Sequence, residues 1–376
     1  MKILTTGGGT GGHVFPVIAV IERIREVVRE DKLVEPTIYF MAPEQYVPKA
    51  LFENKVIYMP CTSGKLRRYF SLRNLFDIPK TVVGGLKGLL DVYQIFPDVV
   101  FAKGGYASFP ALFAARVLGI PVVIHESDSK PGRVSAWAGK FATRIALSYP
   151  SAATYFPRDR VAVTGNPVRR EISVPEKEGG YEFFKLTQGI PTLLILGGSQ
   201  GAARINELLI DALGDLVSEY QIIHQTGKKT FKEVQLTAQI VLEKNPHKDR
   251  YRVVEFLNDR ALSYAAGIAD LIISRAGSTI FEIALWGKPS IIIPIPVEIS
   301  HDQTSNAFAY KAAGACEVIE EKNLSQSVFK AEISRILNDT ALHTSLSEAA
   351  RAFSRPDAAH KIARAVIEVG ITHETK

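Results

Sequence analysis

The 376-residue sequence carries only two cysteines, Cys61 and Cys316, far apart in the chain. Two distant thiols make neither a disulfide framework nor a metal-ligand set, and they fit a reducing cytoplasm. No stretch approaches the ~20 consecutive apolar residues that span a bilayer. The start, Met1–Thr6, is apolar for too few residues to act as a signal peptide. A dense arginine tract and a zinc-knuckle pattern are both missing, so nucleic acid is a poor default partner. There is no G-x-x-x-x-G-K-[ST] loop, which argues against a P-loop nucleotidase. No D-x-D pair occurs either, so a metal bridging a nucleoside diphosphate has no obvious ligands. Neither a metal nor a cofactor is expected.

What is present suits a globular protein of two domains. The formal net charge of +6 is a mild basic excess. Surface lysines account for such an excess, and anionic lipid or phosphate-bearing ligands would also favour it. Short apolar runs alternate with helical patterns, as in parallel βαβ units. Strands are expected at Lys2–Thr6, Thr37–Ala42, Val99–Ala102, Val122–His125, Arg144–Ala146 and Val161–Val163. A helix is expected from Pro16 to Glu30, with others over parts of Leu72–Tyr93, Pro110–Leu118 and Arg133–Gly139. The pattern restarts after Gly165-Asn166-Pro167, with strands at Thr192–Leu196, Gln221–Gln225, Tyr251–Glu255, Leu271–Ser274, Ser290–Pro294 and Cys316–Ile319. The expected domains are therefore 1–166 and 167–356, with Arg355-Pro356-Asp357 breaking the chain before a last helix.

Both halves open with a strand, a glycine-rich turn and a helix. Gly7, Gly9 and Gly12 match G-x-G-x-x-G, a loop whose N–H groups and helix dipole favour an anion. A dinucleotide site also needs an acidic residue about 20 positions on, and here only Glu44 is near. His13 ends the loop, placed either to pack or to act as a general base that the helix N-terminus keeps neutral. His125-Glu126 and Gly104-Gly105-Tyr106 each follow an apolar strand, so three strand ends converge on one cleft. Gly197–Gly201 repeats the loop in the second half, with Ser199 able to donate a hydroxyl. Thr279 and Glu282 have the spacing of a capping box, and Glu282 is equally suited to gripping ribose hydroxyls beside a pyrophosphate. His301–Asn306 follows a strand and loop and reads equally as polar surface. Lys65–Phe70, with Leu72, Arg73, Leu75 and Phe76, mixes cations with large apolar groups; it reads equally as a surface attracted to anionic membranes and as a partly buried helix or loop, since the cations are scattered among the apolar positions.

Taken in order, these motifs resemble the MurG family of bacterial glycosyltransferases. The resemblance runs through Gly8–His13, Lys103–Tyr106, His125-Glu126, Gly165–Arg169, Gly197–Ala202, Ser274–Gly277 with Glu282, and Gln303–Ala307. Members add N-acetylglucosamine to the undecaprenyl-diphospho-muramoyl-pentapeptide precursor of peptidoglycan. The resemblance implies an α/β, GT-B fold of two Rossmann-like domains with parallel sheets facing a central cleft, the last helix (357–376) rejoining the first domain. It implies an inverting, metal-independent transfer from UDP-N-acetylglucosamine to the acceptor's 4-hydroxyl. The expected catalytic residues are His13, His125 and Glu126. Substrate would be held by Thr10, Gly11, Gly12, Asp128, Arg169, Ser199, Leu257, Glu282 and Gln303. The first domain would take the undecaprenyl-linked acceptor and the second the UDP-sugar. The enzyme would sit peripherally on the anionic inner membrane surface, on the cytoplasmic side.

Two departures stand out. Many members read His-Glu-Gln-Asn where this chain has His125-Glu126-Ser127-Asp128, and the segment Ser278–Phe281 is one residue shorter than in many relatives. Three rival functions share some of the same features. They are a UDP-sugar 2-epimerase or another lipid glycosyltransferase on the same architecture, a nicotinamide-dependent oxidoreductase, and an inactive sugar-nucleotide-binding scaffold.

Overall fold

The computed structural model describes residues 1–8, 11–64, 73–197, 202–296 and 303–374. It divides into two units: Met1–Arg169 with Arg355–Lys376, and Arg170–Ser354. The first is built on seven described strands: β1 (Lys2–Thr6), β2 (Thr37–Ala42), β3 (Val56–Pro60), β4 (Val99–Ala102), β5 (Val122–Glu126), β6 (Arg144–Leu147) and β7 (Val161–Val163). They pair in the order β3-β2-β1-β4-β5-β6-β7, parallel throughout.

Alternation of side chains sends Ile3, Val99, Phe101 and Val123 to one face, under the helices Gly11–Glu30 and Ala358–Glu374. Leu4, Val100, Ala102, Val122 and Ile124 face the other way, towards the helices Arg73–Ile95 and Phe109–Leu118. Both faces are covered, which is why the strands read as continuous apolar runs. The last helix supplies Ile362, Ala363, Val366, Ile367 and Val369 to the first of these cores. It sits so close that a Cβ on Gly370 would lie 2.7 Å from Met1 Sδ.

Two features depart from the sequence pattern. The strand β3 was not expected: it is an edge strand with Ile57 half-exposed, and four apolar residues in a row lack the alternation that marks a one-sided strand. The first long helix starts at Gly11, five residues before the expected Pro16. Glycines are weak helix formers and proline favours the first helical position, so the pattern points to Pro16. Inside the helix, Pro16 has no N–H to offer the Gly12 carbonyl.

The second unit holds β8 (Thr192–Leu196), β9 (Gln221–Gln225), β10 (Tyr251–Val254), β11 (Leu271–Ser274), β12 (Ser290–Ile292) and β13 (Glu317–Val318). Their order is β10-β9-β8-β11-β12-β13, again parallel. Leu193, Ile195, Ile222 and Ile273 pack on the helices Ala203–Glu219 and Gln326–Asn338, while Leu194, Ile223 and Ile272 are buried on the opposite face. In each unit the strand order reverses once, between β1 and β4 and between β8 and β11. At such a point neighbouring loops diverge and leave a crevice at the carboxyl ends of the strands.

Candidate active site

In the first unit the crevice collects the polar residues that the sequence singled out. Gly7 and Gly8 leave β1, and His13 lies in the first turn of the helix Gly11–Glu30. Lys103, Gly104 and Gly105 leave β4, with both glycines at positive φ (81° and 78°). His125 and Glu126 end β5. Ala102 and Ile124 pair in register, so Lys103 and His125 follow on the opposite face, the one covered by the His13 helix. The packing there is tight. A Cβ on Gly7 would fall 3.0 Å from Lys103 Cβ and 3.2 Å from the His13 carbonyl, and one on Gly105 would lie 3.2 Å from His13 Nε2.

Each charged or titratable group has a definite electrostatic setting. His125 Nε2 lies 3.0 Å from the Gly165 carbonyl and 3.2 Å from Ser148 Oγ. A carbonyl only accepts, so Nε2 carries the proton and Nδ1 presents a lone pair. Burial and the Lys103 charge hold the His125 imidazole well below its ordinary range. The same two causes bring His13 down to about 3. Both rings are neutral at physiological pH. Burial and the Asp128 charge push Glu126 up to about 7. Its carboxylate accepts from the backbone N–H of Asp128 (3.0 Å) and of Gly132 (3.2 Å), and Lys103 and Ser135 favour its ionised form. Burial lowers Lys103 to about 8, against the pull of Glu126 and Asp128. Its Nζ finds no hydrogen-bond partner among the described residues.

The structure therefore brings His13, His125, Glu126 and Asp128 together in one unit, with Gly11 and Gly12 opening the adjacent helix. Arg169 also belongs to this unit, although the expected boundary assigns it to the second. It is buried, with its guanidinium 3.8 Å over the Phe15 ring. Thr10, Ser199, His301, Asp302 and the segment Lys65–Leu72 lie outside the described residues.

The second unit collects Leu257, Glu282 and Gln303. Leu257 is buried, and its N–H donates to Gln225 Oε1 at 2.9 Å. Gln303 begins a helix, and its Oε1 accepts from the Ile295 N–H at 3.2 Å. The capping box expected of Thr279 and Glu282 is not formed. Ser278 is the N-cap, without a side-chain cap, so Glu282 sits one position beyond the box register in the first turn. Arg275 ties the loop after β11 to the exit of β12 by donating to the Ile293 and Pro294 carbonyls at 3.1 and 3.3 Å, and it pairs with Glu321. Asn206 bonds His224 Nε2 at 2.9 Å and Thr230 Oγ1 at 2.9 Å under the β8–β9 end. Sequence reasoning gave no role to Lys103, Arg275 or Asn206. Lys103 had a signal, a cation directly after an apolar strand, whereas the partners of the other two arise only on folding.

Residues 3–147 match the glycosyltransferase family 28 N-terminal domain, and residues 192–362 match the family's C-terminal domain. The UDP-N-acetylglucosamine--N-acetylmuramyl-(pentapeptide) pyrophosphoryl-undecaprenol N-acetylglucosamine transferase of Thermodesulfovibrio yellowstonii is 36% identical, over 96% of this chain and 97% of its own. The chain belongs to the MurG family, within glycosyltransferase family 28. The Legionella pneumophila enzyme of the same name is 38% identical, over 87% of this chain and 86% of its own. Among solved structures, Acinetobacter baumannii MurG superposes with a TM-score of 0.71 at 25% identity, covering 98% of this chain and 99% of that one. Staphylococcus aureus MnaA, solved with UDP, reaches the same TM-score at 18% identity, covering 100% of this chain and 98% of its own, and shares the fold. The chain is thus a glycosyltransferase with two parallel-sheet α/β domains of the GT-B class.

Proposed function

We propose that the chain transfers N-acetylglucosamine from UDP-N-acetylglucosamine to the 4-hydroxyl of the muramoyl sugar of undecaprenyl-diphospho-MurNAc-pentapeptide. The reading rests on family membership and, above all, on the His13–Lys103–His125–Glu126 cluster at the strand switch of the first unit. In this reading the first unit takes the lipid-linked acceptor and the second the donor. His13 takes the hydroxyl proton. It is only partly buried, whereas Glu126 is almost wholly buried and gripped by two backbone N–H groups. A neutral imidazole is the form that can accept a proton, while the burial and Lys103 charge that keep it neutral also lower its strength as a base. Glu126 and His125 then orient the acceptor and balance charge. Gly11 and Gly12, which open the adjacent helix, and Asp128 serve the acceptor side, and the family resemblance assigns Thr10 the same role.

Attack on the anomeric carbon from the face opposite UDP inverts that centre. The departing diphosphate is stabilised by backbone N–H groups at the Gly197–Gly201 loop and at the helix start near Ser278, with Ser199, Glu282 and Gln303 gripping the nucleotide. The absence of a D-x-D pair in the sequence supports a metal-independent departure.

Attachment to the membrane is supported by an unusual helix. Arg73–Ile95 turns glycines inward: a Cβ on Gly84 would collide with the Thr62 carbonyl oxygen, and one on Gly88 would fall 2.9 Å from Pro110 Cβ. Its large apolar residues Val82, Val83, Leu86, Leu90 and Tyr93 point outward, each more than half exposed, with Lys80 and Lys87 exposed alongside. No helix among the described residues is long and apolar enough to cross a membrane. An exposed apolar stripe flanked by cations suits a peripheral protein on an anionic leaflet, and in this reading the leaflet is the cytoplasmic one.

The test is product analysis with purified enzyme, donor and lipid acceptor in the presence of a chelator. A β-linked disaccharide is expected, and His13→Ala should lower kcat by about 100-fold. An α linkage, a requirement for added metal, or an unimpaired His13→Ala enzyme would each overturn the corresponding part of the reading.

A further inference from the structure

Lys103 is the one member of the cluster that the mechanism above leaves unused. Its surroundings are closely packed: a Cβ on Gly7 would lie 3.0 Å from the Lys103 Cβ, so a side chain there would require Lys103 to give by a few tenths of an ångström. Register and pleat put Lys103 beside His125 on the face under the His13 helix. The residue is 1% exposed, and its ammonium has no hydrogen-bond acceptor among the described residues. An unpartnered buried cation destabilises the fold strongly unless it interacts with charge nearby. The groups that face it are His13 from the first helix, His125 and Glu126 from the end of β5, and Asp128 just beyond.

We infer that Lys103 is a positioning residue of the transfer site: its buried ammonium balances the Glu126 and Asp128 carboxylates and keeps the imidazoles of His13 and His125 uncharged in the free enzyme, which leaves His13 open to take up the hydroxyl proton. This inference rests on the proposed function for its role, though not for its electrostatics. The cation disfavours a second positive charge on either ring and favours the ionised form of Glu126. Because burial raises Glu126 and lowers Lys103, the fully assembled charge state exists only in a window between the two titrations. Below it Glu126 is protonated, and above it Lys103 is neutral.

The experiment compares the wild-type enzyme with Lys103→Met and Lys103→Arg, reading kcat/KM against pH and, without substrate, the imidazole titrations of His13 and His125 by NMR. Wild type should show a bell with limbs near about 7 and about 8. In Lys103→Met the alkaline limb should vanish and the acid limb should move up by about one pH unit. In Lys103→Arg the acid limb should stay and the alkaline limb should leave the measurable range. Both imidazoles should titrate at higher pH in Lys103→Met. A Lys103→Met profile that superposes on the wild type, unchanged imidazole titrations, or a Lys103→Arg enzyme that keeps the wild-type alkaline limb would overturn the inference. If Lys103→Met does not fold, Lys103→Arg decides. If the wild-type enzyme transfers no sugar, the functional reading fails and the NMR titrations still test Lys103.

Discussion

At Gly7 a missing Cβ, a buried lysine and a neutral histidine are parts of one device. The glycine packs closely on Lys103, and Lys103 weighs against charge on His13 and His125. Such a cluster should cost stability where its groups are charged. Burial raises Glu126 from 4.5 to about 7, so its stabilising contribution is complete below 4.5 and is lost as pH rises through about 7. Burial lowers Lys103 from 10.5 to about 8, so its contribution is complete above 10.5 and is lost as pH falls through about 8. Between those two values neither group helps the fold. The stability of the substrate-free wild type relative to the Lys103→Met/Glu126→Gln double variant, read by urea unfolding against pH, should therefore pass through a minimum between about 7 and about 8. Identical pH curves for the two proteins would refute this account of the cluster. Below 6.5 the depressed histidines, His13, His125 and His224, withdraw stability in both proteins.

At the scale of elements, the covered parallel sheets were legible because strands buried on both faces appear as short apolar runs separated by helical patterns. The edge strand β3 was not, since half-exposure removes the regular pattern. The start of the first helix was misread because Gly11-Gly12 and Pro16 carry local signals that tertiary packing overrides. The strand end bearing His125 and Glu126, and the glycine loop leading to His13, could be seen in the sequence. The pairing of Asn206 with His224, the Arg275 clamp on the Ile293 and Pro294 carbonyls, and the approach of Lys103 to Gly7 could not, because each depends on distant segments meeting.

The last helix is the clearest case of long-range dependence. It closes the first unit from the far end of the chain and places Ile362 in the core, 1% exposed. Truncating that side chain in Ile362→Ala should cost about 2–5 kcal/mol, measured by denaturant unfolding. A loss below about 0.5 kcal/mol, the range of ordinary surface substitutions, would mean that the helix is dispensable to that core.

At the scale of the whole molecule, each unit offers its own strand-switch crevice, as a two-substrate transfer requires, and the first also displays the apolar stripe. Replacing Val82, Leu86, Leu90 and Tyr93 together by serine should weaken binding to anionic vesicles by about tenfold or more, read by co-sedimentation. Unchanged binding would remove that surface from the account. The fold itself does not choose among chemistries, because one architecture can carry unrelated reactions. The deciding measurement is the fate of UDP-N-acetylglucosamine with and without the undecaprenyl-linked muramoyl acceptor. Transfer predicts UDP release and a disaccharide-lipid product only when acceptor is present; epimerised UDP-sugar formed without acceptor would contradict it.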